Sequence, residues 1–251
     1  MLRFAQNDTV RHYEHETRNT KHETRCLSWA SASTAVYGGT FNPIHTAHLY
    51  IAEEVREALG LDEVHFVPAA MPPHKEVEYH VSAEDRLRMV ELAISGNPAF
   101  RASDLELTLP RPSYSIKTVE AFQERFGEKA KLFFITGLDS FLEVGTWHAV
   151  DRLLAKCDFV TTFRPRSDHN DLGKHKFIRE IDMVMLDELD QRVRSLGSVE
   201  LVTGRDLWLV ASVPMDISST DIRQRLKKRK TVKYLLPEPV LSYIIEKRLY
   251  I

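Results

Sequence analysis

Residues 34–55 read TAVYGGTFNPIHTAHLYIAEEV. The first four are β-prone, and Gly38 and Gly39 are predicted to break the strand. From His45 the apolar positions Leu49, Ile51, Ala52, Val55 and Leu59 recur close to helical spacing, and Gly60 is placed to cap the end. A strand, a glycine turn and a helix in 22 residues make the first half of a βα unit.

The rest of the chain repeats that alternation. EVHFVPAA (63–70) is the second strand, MPPHK (71–75) a proline-marked loop, and Ser82 caps a helix AEDRLRMVELAIS whose acids sit in its first turn. A short strand near residues 100–107 and a helix from Ile116 to Arg125 follow. KLFFITG (131–137) and FVTTFRP (159–165) are continuous apolar runs of the kind buried on both faces of a parallel sheet, with helical turns between them. DLWLVAS (206–212) is the last strand, and SSTDIRQRLKKRK and PEPVLSYIIEKRLY are helical. The fold class is therefore α/β: a doubly wound, mainly parallel sheet with helices on both faces, plus a C-terminal helical segment.

A chain of 251 residues, 43% hydrophobic and 28% charged, can bury one sizeable core. Residues 34–251 are expected to form a single domain, with the polar stretch 167–206 inserted on the core pattern. Residues 1–33 are polar, carry HETR twice and show no sustained period, so they read as a disordered N-terminal extension. A net charge of −2 with mixed signs gives no bulk electrostatic reason to expect nucleic acid or an anionic membrane as partner. Two cysteines, Cys26 and Cys157, are too few for a disulfide scaffold and point to a reducing cytoplasm. No apolar run approaches the roughly 18 residues needed to span a bilayer.

In such a sheet, ligands sit beyond the carboxyl ends of the strands. Gly38, Gly39 and Thr40 follow the first strand, so their backbone can approach a phosphate closely, and a helix N-terminus begins beside them. His45 and His48, three apart, share a helix face and carry N–H donors suited to phosphate oxygens. The same residue types also describe a glycine turn followed by two surface histidines. Far along the chain, ISSTDIRQRL (217–226) places Ser218 or Ser219 as an N-cap, with Thr220 and Arg223 on one face of the first turns. By itself this is equally a well-capped amphipathic helix.

The two stretches together are specific. GGTFNPIHTAH and ISSTDIR resemble the signature pair GxFxPxHxGH and ISSTxIR of the nucleotidyltransferase superfamily. FVPAAMPPHK, RPSYSIKTVEAF, FITGLDSFLEVGTWHAVDRLL, CDFVTTFRP and LPEPVLSYI are similar, in the same order, to the bacterial nicotinate-nucleotide adenylyltransferases. The resemblance covers residues 34–166 and 207–251. It departs at Ala47, where the motif has glycine, at Ser115, where threonine is usual, and at Asn42, where many members carry aspartate.

That resemblance implies a Rossmann-like fold and transfer of an adenylyl group from ATP, accompanied by Mg²⁺, to nicotinate mononucleotide. It implies His45, His48 and Arg223 as the catalytic set. Contacts to ATP are implied for Gly38, Gly39, Thr40, Phe41, Gly137, Asp139, Arg164, Ser219 and Thr220, and contacts to the mononucleotide for Lys75, Tyr114, Ser115 and Trp147. No protein-held metal is implied, and a homo-oligomer is compatible with the family.

Overall fold

The computed structural model describes residues 33–71, 81–127, 130–163 and 169–251. Residues 1–32, Lys75 and Arg164 lie outside these residues, whereas Ser33, expected at the end of the extension, is the first residue of β1. Seven strands are described: β1 (Ser33–Gly39), β2 (Glu63–Pro68), β3 (Phe100–Ala102), β4 (Lys131–Ile135), β5 (Asp158–Phe163), β6 (Leu196–Glu200) and β7 (Asp206–Ala211). The helices are α1 (Thr46–Leu59), α2 (Ala83–Ile94), α3 (Leu105–Thr108), α4 (Ser115–Phe126), α5 (Leu138–Leu142), α6 (Val150–Lys156), α7 (His169–Gly173), α8 (Met183–Asp190), α9 (Ser219–Lys227) and α10 (Glu238–Glu246).

The strands form one sheet in the order β3-β2-β1-β4-β5-β7-β6. Every neighbouring pair is parallel except β6 with β7. The chain winds outward from β1 through β2 to β3, then returns to β4 on the other side of β1. A crevice must therefore open beyond the carboxyl ends of β1 and β4, where connections leave in opposite directions.

Alternation along the central strands explains the two-sided core. Ala35 and Tyr37 of β1 and Phe133 and Ile135 of β4 belong to one apolar cluster, with α1, α2, α9 and α10. Val36, Leu132 and Phe134 belong to the opposite cluster, with α4, α5, α6 and α8. A strand covered on both faces shows no alternating polar face, as in KLFFI of β4.

Two sequence expectations change. The glycines at 38 and 39 do not break β1: both pair in register with Val67 and Pro68 of β2. Parallel pairing needs extended backbone, not a side chain, so glycine is tolerated at the strand's end. The described part of 167–206 is built into the domain's own core: β6 closes the sheet edge, and Leu172, Met185, Leu186, Leu189 and Val199 are buried in the second cluster. Its polar look comes from serving an edge, where one face of each element meets water. Beneath it, a Cβ on Gly197 would lie 2.5 Å from the Met185 sulfur, so α8 can pack onto β6 because that side chain is missing.

Candidate active site

A cleft of about 280 Å³ opens at the crevice the topology dictates. Its floor is Gly38, Gly39 and Thr40 at the end of β1, Ala69 after β2, and Phe134 and Thr136 at the end of β4. Its walls are Glu106, Ser113, Tyr114 and Ser115 on one side and Ser140, Glu143, Thr146, Trp147 and His148 on the other. Trp147 stands edge-on to Phe134 with ring centroids 6.1 Å apart, so part of the indole packs on the core while the rest faces the cleft. Tyr114 is stacked on His148, centroids 4.2 Å apart. Tyr114 is the N-cap of α4, no side chain caps that end, and its first turn holds no acid.

The signature loop lies beside this cleft. His45 is the N-cap of α1, and its ring stacks on that of His48 with centroids 3.7 Å apart. The His45 main-chain N–H donates to His48 Nδ1 at 3.2 Å. A nitrogen that accepts carries no proton, so the neutral His48 ring bears its hydrogen on Nε2. Burial pulls the pKa of His45 down to about 4. It also pulls that of His48 well below its ordinary value, with the neighbouring His45 adding to the effect. Both rings are therefore neutral at pH 7 in the free protein.

α9 is docked onto this loop by its first residues. Ser218 caps the helix, accepting from Asp221 N–H at 3.1 Å. Ser219 donates to the Pro43 carbonyl at 2.9 Å, and Arg223 donates to the Asn42 carbonyl at 2.9 Å and to the Thr220 hydroxyl at 3.3 Å. Two motifs about 180 residues apart thus become one surface, because hydrogen bonds to main-chain oxygens fix α9 against the loop.

Of the residues singled out from sequence, Gly38, Gly39, Thr40, Tyr114, Ser115 and Trp147 line the cleft. His45, His48, Ser219, Thr220 and Arg223 lie outside its lining, brought together beside it by the contacts of α9 with the loop. Phe41 is buried beneath the loop with its ring 5.1 Å from that of His48, which makes the side chain a support. Gly137 is the N-cap of α5, and exposed Asp139 lies in its first turn, at the carboxyl end of β4. Ala47, between the two histidines, is 4% exposed.

Sequence reasoning missed Asn42's role, Tyr250 and Arg86. Tyr250 donates to Asn42 Oδ1 at 2.6 Å, across 208 residues. Nothing local marks it. Arg86 did leave a signal: it shares the apolar face of α2 with Met89 and Val90, three and four positions on, where a cation is out of place. Glu106, whose carboxylate accepts from the Thr118 hydroxyl at 2.6 Å, was also missed.

The cytidylyltransferase-like family matches residues 36–225. A protein of Geobacter metallireducens named a probable nicotinate-nucleotide adenylyltransferase is 42% identical over 218 residues, which is 86% of this chain and 97% of that one. Its counterpart in Trichlorobacter lovleyi is 43% identical over 217 residues, 85% and 96% of the two chains. The chain belongs to the nicotinate-nucleotide adenylyltransferase family. A solved structure of Plasmodium falciparum nicotinic acid mononucleotide adenylyltransferase complexed with NaAD superimposes with a TM-score of 0.64 at 18% identity, covering 87% of this chain and 97% of that one. At that identity the likeness bears on the fold, and it matches the nicotinate-nucleotide adenylyltransferase sheet described above. No helix among the described residues is long and apolar enough to cross a membrane.

Proposed function

We propose that the protein joins nicotinate mononucleotide to the α-phosphate of ATP, releasing pyrophosphate and forming deamido-NAD for NAD biosynthesis, in a cytoplasmic setting. The observation that carries this reading is the docking of Arg223 and Ser219 onto the loop that bears His45 and His48, beside a cleft holding Trp147 and Tyr114.

The nucleophile is the mononucleotide's own phosphate, with a second pKa of about 6, so it arrives largely ionised and needs no strong base. Its oxygen bonds to the ATP α-phosphorus, and the bond from that phosphorus to the β-bridging oxygen breaks. The protein's work is to hold two polyanions in line and to meet charge as it builds on the α-phosphoryl group and leaving pyrophosphate. His48 Nε2–H, the Arg223 guanidinium, the Thr220 hydroxyl and the N–H groups at the start of α1 and α9 supply donors for that charge. The buried Cys157, whose thiol burial pushes well up, has no part in such a reaction.

Imidazole and guanidinium are not the oxygen ligands Mg²⁺ prefers, so the ion belongs with the triphosphate and enters as part of the ATP substrate. Trp147 and Tyr114, both in the cleft lining, would hold the pyridine ring. The uncapped, acid-free N-terminus of α4 opens into the same cleft, and its N–H donors suit the carboxylate of the acid form over the neutral amide.

The test is pyrophosphate release with ATP and Mg²⁺, supplying nicotinate and nicotinamide mononucleotide in turn. Release with the acid and little with the amide is expected. Equal rates would remove the acid preference, and no release with either would remove the proposed reaction.

A further inference from the structure

Among the described residues Arg86 is the largest fully buried side chain, 1% exposed, and it belongs to none of the motifs above. It reaches from α2 to the underside of the signature loop, donating from Nη1 to the Thr40 carbonyl at 2.8 Å and from Nη2 to the Ala70 carbonyl at 3.4 Å. Among the described residues no carboxylate lies within ion-pair distance of it; Tyr250, Glu106 and Glu84 act on it only from further off. A buried guanidinium held by two carbonyls is an expensive arrangement if its purpose is structural.

The peptide it grips has a particular geometry. In a planar trans peptide the carbonyl and the following N–H point in opposite directions. With the Thr40 carbonyl drawn inward to Arg86, the Phe41 N–H is turned outward, and among the described residues no main-chain oxygen accepts from it. The same orientation puts Phe41 at φ 46, in the left-handed region that residues with a Cβ avoid. Turning the peptide over would relax Phe41 to negative φ, but it would aim the Thr40 carbonyl oxygen at the phosphates. The backbone's own preference is thus for the wrong orientation, and something must oppose it.

We propose that Arg86 is a positioning residue that holds the Thr40–Phe41 peptide with its N–H facing the phosphate site, making that N–H a preset donor to the polyanion. The proposal rests on the reading of this loop as the phosphate site. It assigns a role in the reaction to a side chain that touches neither substrate.

The experiment compares the parent with Arg86→Met, which removes the donors, and Arg86→Lys, which keeps the charge but loses the two-armed grip. Affinity for inorganic pyrophosphate and for nicotinate mononucleotide is measured by calorimetry, and turnover by pyrophosphate release. Arg86→Met is expected to lose about 100-fold in turnover and to bind pyrophosphate correspondingly weakly, the scale of one lost preorganised donor, with mononucleotide affinity kept within about two-fold. Arg86→Lys is expected to lose about 10-fold on the same two readouts. An Arg86→Lys protein equal to the parent overturns the proposal, as does parallel weakening of pyrophosphate and mononucleotide, which marks a general structural role. If Arg86→Met does not fold, Arg86→Lys alone decides by these criteria. A parent that binds no pyrophosphate removes the phosphate-site reading and the proposal with it, whereas a parent that binds it while Arg86→Lys matches it removes the proposal alone.

Discussion

The rings of His45 and His48 stack with centroids 3.7 Å apart and planes 27° apart. Burial disfavours charge on either ring, and for His48 the stacked His45 adds to it, so both are neutral in the free protein, with Nδ1 of His48 committed to the His45 main-chain N–H. What faces the site is a preset N–H donor, not a base. Replacing it, as in His48→Ala, should lower turnover about 10²- to 10³-fold, with a smaller effect on ATP binding. Steady-state kinetics with ATP as the varied substrate checks this, and turnover within a few-fold of the parent would end the catalytic role.

Neutral buried histidines make stability depend on pH. The unfolded chain takes up protons on these histidines near pH 6.5, whereas His45 folded does so only near pH 4. Between those values the unfolded state binds more protons, so stability is full above about pH 6.5 and is lost as pH falls toward 4. Thermal melts from pH 7.5 to 4.5 should show Tm falling across this window, and His45→Asn should flatten the fall. An equal slope in that variant would show that other groups carry the dependence.

Trp147 has one side on Phe134 and Phe159 and the other toward the cleft. Trp147→Ala should raise the KM for the mononucleotide while leaving that for ATP little changed. A matching rise for ATP would mean that the indole supports the whole crevice.

Tyr250 ties the end of the chain to Asn42 through a buried hydrogen bond of 2.6 Å. Tyr250→Phe leaves Asn42 Oδ1 without that donor and should cost about 1–2 kcal/mol of stability. Chemical denaturation measures it. A loss near zero would show that the oxygen finds another donor.

Gly197→Ala tests the standing of β6 and α8. The added methyl must displace Met185 or Leu189, and overpacking of this kind costs about 1–3 kcal/mol. Stability should fall with both KM values unchanged, because the segment lies at the sheet edge away from the cleft. Unchanged stability would mean that α8 shifts freely on β6.

What was legible in the sequence depended on how local the cause was. The βα alternation, the Ser82 cap, a serine cap on α9 that the structure assigns to Ser218 and the apolar runs of β4 and β5 could be read directly, since each rests on neighbours within a turn or two of chain. The segment 167–206 read as foreign because an edge strand and its covering helix have one wet face each, and pattern alone does not reveal which sheet such a face completes.

The sequence by itself determined the fold class, the family, and the residues that can donate to phosphate. Tertiary structure decided how those donors are aimed. Arg86 under Thr40, Arg223 on Asn42 and Ser219 on Pro43 hold main-chain carbonyls of one four-residue loop, and Tyr250 holds the Asn42 side chain; all four are contacts between elements far apart in the chain. The reason is physical: a residue type states which hydrogen bonds a group can make, whereas the direction in which they point is fixed by whatever packs behind it.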